Sequence, residues 1–85
     1  MGYYTLKNPR AGIHKASINV FYIEGHGEKA SINVTWRGMN PKDLGYSFNG
    51  LVAAKRYFGK HYQSKKDGFE TPIWEKQIIQ PSPQK

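Results

Sequence analysis

Four side chains in the first half of the chain have the chemistry of nucleic-acid recognition: Lys15, Asn19, Asn33 and Arg37. An asparagine amide can pair doubly with an adenine edge and an arginine guanidinium with guanine, while a lysine ammonium neutralises phosphate. These residues stand in two related runs, KASINVFYI from Lys15 and KASINVTWR from Lys29, separated by Glu24-Gly25-His26-Gly27-Glu28. Each run alternates apolar and polar residues with period two, the mark of a half-buried strand. Ala16, Ile18, Val20 and Tyr22 share one face of the first strand, and Ala30, Ile32, Val34 and Trp36 share one face of the second. The glycine-rich break predicts a tight hairpin turn. Pairing Glu24 with Glu28 sets Ile18 against Val34, Lys15 against Arg37, Ser17 against Thr35 and Asn19 against Asn33. Only even slips compete with this register, because an odd slip turns one apolar set to solvent. The polar face then carries a ladder of short hydrogen-bonding side chains flanked by cations, as a two-stranded ribbon in a major groove does. The bland alternative is the wet face that any two-layer domain exposes, but asparagine is depleted in strands.

Catalysis finds no comparable pattern. The acids Glu24, Glu28, Asp43, Asp67, Glu70 and Glu75 are scattered and mostly near turns. His14, His26 and His61 lack the close spacing of a metal site, and no glycine-rich phosphate loop precedes a helix. The expectation is a non-catalytic protein with no metal and no cofactor.

Composition narrows the partners. Eighty-five residues make one small domain, 1–80, with a disordered tail at 81–85. Thirteen lysines and arginines against six acids give a formal charge of +7, spread along the chain rather than gathered in a tail. Such a charge suits nucleic acid or an acidic protein surface. No apolar run reaches the roughly 18 residues of a membrane span, and no signal pattern opens the chain. The absence of cysteine is compatible with a reducing compartment, so a cytoplasmic, intracellular protein, monomeric or homodimeric, is expected.

The remaining elements must support the hairpin. Tyr3 and Tyr4 suit a short edge strand, and Asn8-Pro9-Arg10-Ala11-Gly12 is turn chemistry. Residues 44–48 predict a third strand, with Ser47 or Asn49 capping a helix over 50–62. Leu51, Ala54, Phe58 and Tyr62 form one stripe on that helix, and Lys55 beside it must snorkel. From Lys55 to Lys66 the chain has five cations and no acid, with Lys65 and Lys66 available to phosphates. Thr71-Pro72 suits either a helix start or a lead into a strand, with Trp74 on the apolar layer.

The run LGYSFNGLVAAKRY, preceded by strands, resembles the end of the ethylene-response-factor type DNA-binding domain and of the arm-binding domains of phage integrases. Leu44-Gly45, Ala53-Ala54 and Tyr57 stand at compatible offsets. The resemblance covers about half the chain; its hairpin is longer than the family's, the family's aromatic and arginine positions in the first strands are unmatched, and a C-terminal segment is added. It implies a three-stranded sheet whose polar face reads the major groove, with a helix behind.

The expected architecture is therefore α+β: a three-stranded antiparallel sheet over 13–23, 28–37 and 44–48, packed on one helix, with a C-terminal arm. The expected function is nucleic-acid binding, DNA favoured over RNA, by a small accessory or regulatory protein of a phage or mobile element. Lys15, Asn19, Asn33, Arg37, Lys65 and Lys66 are the contact residues. The competing expectation is a protein-binding module or inhibitor that docks on an acidic or nucleic-acid-handling partner. Phe21 and Ile23, apolar on the otherwise polar face, would carry that contact.

Overall fold

Alternation along the two long runs yields two long strands. In the computed structural model, which describes residues 2–39, 42–43 and 48–78, β2 (Ile13–Ile23) and β3 (Gly27–Trp36) form an antiparallel hairpin. The sheet has five strands in the order β4-β3-β2-β1-β5. Strand β1 (Gly2–Leu6) pairs antiparallel with β2, β5 (Trp74–Gln77) with β1, and β4 (Lys42–Asp43) with β3. One helix, α1 (Leu51–His61), packs on β3 and β2. The fold is α+β with an antiparallel sheet on one helix, but the sheet is wider than three strands. The expected third strand survives among the described residues as a bridge between Phe48 and Ala30; residues 44–47 lie outside them, as does the expected tail. The segment around Trp74 is a strand, because β1 offers it an edge to pair with.

The hairpin register differs by two residues from the expected one. Ile18 faces Ile32, Val20 faces Ala30 and Ala16 faces Val34. The turn sets this slip. His26 N–H bonds to the Ile23 carbonyl at 2.9 Å, and Gly25 takes a φ of 85° at the third position of that turn, a conformation glycine adopts without steric cost. Parity is unchanged, as an even slip requires. Between Ile13 and Lys15 the register shifts, leaving His14 without a partner in the ladder. This bulge brings Ile13, on an odd position, to the same buried face as Ala16, Ile18 and Val20.

The core lies between sheet and helix. Ile18, Ala30, Ile32, Val34, Ala54 and Phe58 are fully buried, with Leu6, Ile13, Ala16 and Val20 around them. Alanine at 16, 30 and 54 lets the helix approach closely, and Phe58 fills the space so created. Burying each of the larger side chains contributes about 1.5–3 kcal/mol. Rings close the rim: Trp74 meets Phe58 edge-on at 5.2 Å and Tyr62 stacks on it at 5.6 Å. Lys55 is half-buried, its ammonium 5.6 Å from the centre of the Tyr4 ring, so its stem does snorkel. Tyr22, expected on the apolar face, is 72% exposed because the hairpin tip runs past the buried cluster.

The helix start is capped from a distance. The N-cap is Gly50, with no side-chain cap of its own. Glu28 of β3 accepts the Leu51 N–H at 3.0 Å, placing a carboxylate at the positive end of the helix. Asn49 is instead occupied with Lys29, whose ammonium donates to its amide oxygen at 2.7 Å. Ser47 lies outside the described residues.

Candidate nucleic-acid interface

The sheet face opposite the helix is built from the odd positions of β1, β2 and β3. Tyr3 stands opposite Asn19, Thr5 opposite Ser17, Ser17 opposite Asn33, Asn19 opposite Ser31 and Lys15 opposite Thr35. The two asparagines are therefore diagonal to one another rather than face to face, a consequence of the two-residue slip. Together these side chains line a shallow trough of about 570 Å³. Among the described lining residues none is acidic, and Asp43 of β4 stands opposite Asn33 in the register at the β3 edge. Apart from Lys15, most of the trough's polar groups are amides and hydroxyls on short stems, which lose little rotamer freedom when they bind.

Asn19, Asn33 and Lys15 are exposed, and among the described residues neither amide hydrogen-bonds to another side chain. They can therefore donate and accept toward a ligand. Tyr3 and Thr5 enter the trough from β1, and sequence reasoning had only a possible edge strand there. Their alternation with Tyr4 and Leu6, which face the core, is the signal that could have found them. The Thr5 hydroxyl is held by the Gln77 amide of β5 at 2.8 Å. At the margin beyond it, exposed Glu75 stands opposite Thr5.

Arg37 lies past the end of β3, its N–H bonded to the Gly12 carbonyl at 3.1 Å. It lines a second depression of about 370 Å³ with His14, Trp36 and Met39; Thr35 borders both. Lys65 and Lys66 stand apart from both depressions. They belong to a 3-10 turn (Lys65–Asp67) that follows the helix, where Ser64 caps by accepting the Lys66 N–H. Phe21 is half-buried and Ile23 38% exposed, both near the hairpin tip.

The face is too broad to act as a free ribbon at the level of the asparagines. Five strands at a spacing of about 4.8 Å span roughly 19 Å, whereas a major groove is about 12 Å wide. Only the tip, beyond the β1 pairing at Val20, is flanked by no other strand on the β2 side.

Elsewhere, His14 sits at the bulge, His26 in the hairpin turn, and His61 against Tyr57 at 4.5 Å between ring centres. Among the described residues no group of three histidines or acids is placed to hold a metal ion, and no helix is long and apolar enough to cross a membrane.

No protein-family model matches the chain, and neither a curated protein nor a solved structure is significantly similar to it.

Proposed function

We propose that this chain is a small non-catalytic nucleic-acid-binding protein, DNA foremost, whose ligand lies across the open sheet face. The observation that carries this reading is the trough: exposed Lys15, Asn19 and Asn33 among serine and threonine hydroxyls, on a chain of charge +7. Such a surface offers phosphate neutralisation from the lysine and base-edge pairing from the amides. The breadth of the face favours an exposed single strand over a closed duplex groove. Tyr3, beside Asn19, adds a ring on which a base can stack. Arg37 extends the contact past the end of β3, and Lys65 and Lys66 hold phosphates at the periphery. A role as an accessory or regulatory protein of a phage or mobile element, inside a reducing compartment, fits this reading.

The pair Asn19→Asp and Asn33→Asp, which adds two negative charges at near-constant shape, tests it. Binding of a labelled single strand of about 15 nucleotides should fall at least tenfold, whereas Lys60→Glu on the helix should cost much less. Equal losses from both would mean that charge alone, and not this face, holds the ligand.

The competing reading, a protein-binding module, is supported by the hairpin tip. Ile23, 38% exposed beside half-buried Phe21, is aliphatic surface that a nucleic acid uses poorly. Loss of partner binding on Ile23→Ser with nucleic-acid affinity unchanged would favour it.

A further inference from the structure

On the opposite layer, between α1 and the segment entering β5, runs a second groove of about 460 Å³. Its floor is Gly59, Pro72 and Trp74, and its rim is Val52, Lys55 and Arg56. We propose that this groove docks an acidic segment of a partner protein, with one apolar anchor side chain seated over Gly59 and Trp74 and carboxylates on Arg56 and Lys55.

Three observations point there. First, the floor is rigid and apolar: Trp74 is locked edge-on against the fully buried Phe58 at 5.2 Å. Second, the rim is positive: Arg56 is exposed, and the Lys55 ammonium rests over the Tyr4 ring rather than on any described carboxylate. Among the described residues no acid lines the groove and no carboxylate pairs with Arg56. Val52, 67% exposed, adds apolar surface one helical turn before it.

The third concerns Gly59. Glycine weakens a helix interior relative to alanine, so a helical glycine calls for a packing or functional reason. Packing does not supply one, since a Cβ at this position would meet nothing nearer than Pro72 at 3.9 Å, an ordinary contact. Its effect is to leave the floor of the groove open. A phosphate backbone would use the two cations but gain nothing from the apolar floor, whereas an anchor residue flanked by acids uses both. This groove lies on the helix layer, away from the trough, and the proposal stands independently of the sheet-face reading.

The test uses the fluorescein-labelled peptide Asp-Glu-Asp-Phe-Glu-Asp-Glu and a twin in which serine replaces the phenylalanine. The full chain should bind the first saturably, with a Kd of about 1 mM or below, moving the amide resonance of Gly59 and the indole N–H of Trp74. The serine twin should bind about fivefold more weakly or worse. Lys55→Glu with Arg56→Glu, in a variant whose melt confirms that it is folded, should weaken the first peptide roughly tenfold, the loss of two rim pairs each worth a few-fold. Arg56→Glu alone, at an exposed position, should weaken it a few-fold. Four results would overturn the proposal: no saturation at about 1 mM, equal affinity for both peptides, shifts confined to Asn19 and Asn33, or displacement of the peptide from Gly59 and Trp74 by DNA binding at those same residues.

Discussion

The carboxamide oxygen of Gln63 accepts the backbone N–H of Arg10 at 3.0 Å, tying the end of the helix to the loop that launches the longest strand. Its amide nitrogen donates to the Asn8 and Glu70 carbonyls at 3.0 and 3.1 Å. Gln63 is 1% exposed, the one buried polar side chain of the described residues. Arg10 completes the joint: its Nε donates to the Tyr62 carbonyl at 2.6 Å, and its guanidinium lies between the Trp36 and Phe69 rings. Gln63→Leu would strand one N–H and two carbonyls in an apolar setting. A loss of about 3 kcal/mol is expected, since buried unpaired groups cost about 1–3 kcal/mol each and some regain water. Urea denaturation with an unchanged m-value checks it.

Adjacent residues of β3 should behave oppositely. Ile32 is fully buried under the helix, so Ile32→Ala should cost about 2–5 kcal/mol. Asn33 points into the trough, so Asn33→Ala should stay within about 0.5 kcal/mol. Thermal melts of the two variants read the difference, and similar losses would mean that the faces of the strand are reversed.

Two glycines should respond with opposite signs to alanine. Gly59→Ala should gain about 1 kcal/mol, since the helix strengthens and Pro72 leaves room for the methyl. Gly50 holds a φ of 105°, and a Cβ there would come within 2.8 Å of the Glu28 carboxylate that caps the helix. Gly50→Ala should therefore cost more than about 1 kcal/mol, through strain and loss of the cap together. Differential scanning calorimetry of the pair separates the two outcomes.

The alternation in 15–23 and 29–37 was enough to read the hairpin, its buried face and the helix stripe at Ala54 and Phe58. Period two fixes parity but not slip. Because both runs carry KASINV, either even register sets aliphatic residues against aliphatic residues, and the turn at Ile23–His26 decides between them. The diagonal placement of Asn19 and Asn33 follows from that choice. Contacts remote in sequence were illegible for the same reason: nothing local to Trp74–Gln77 names β1 as its partner, and nothing near Leu51 names Glu28 as its cap. Of the site, the β2 and β3 residues were readable from alternation. Tyr3 and Thr5 were readable only as a possible edge strand, because alternation over five residues does not say which strand they join or which face they share.

Nucleic-acid binding itself is tested most directly by titrating labelled single-stranded DNA with the wild-type chain across a series of salt concentrations. Phosphate contacts release counterions, so log K should fall linearly with log salt at about −0.7 per neutralised phosphate on a single strand. Lys15→Ala and Arg37→Ala should each flatten that slope by up to one phosphate contact, and Asn33→Ala should leave the slope alone while reducing discrimination between sequences. A complex at micromolar protein and low salt with this behaviour is the expected result. No complex under those conditions, or a slope indifferent to Lys15 and Arg37, would contradict the assignment of the open sheet face.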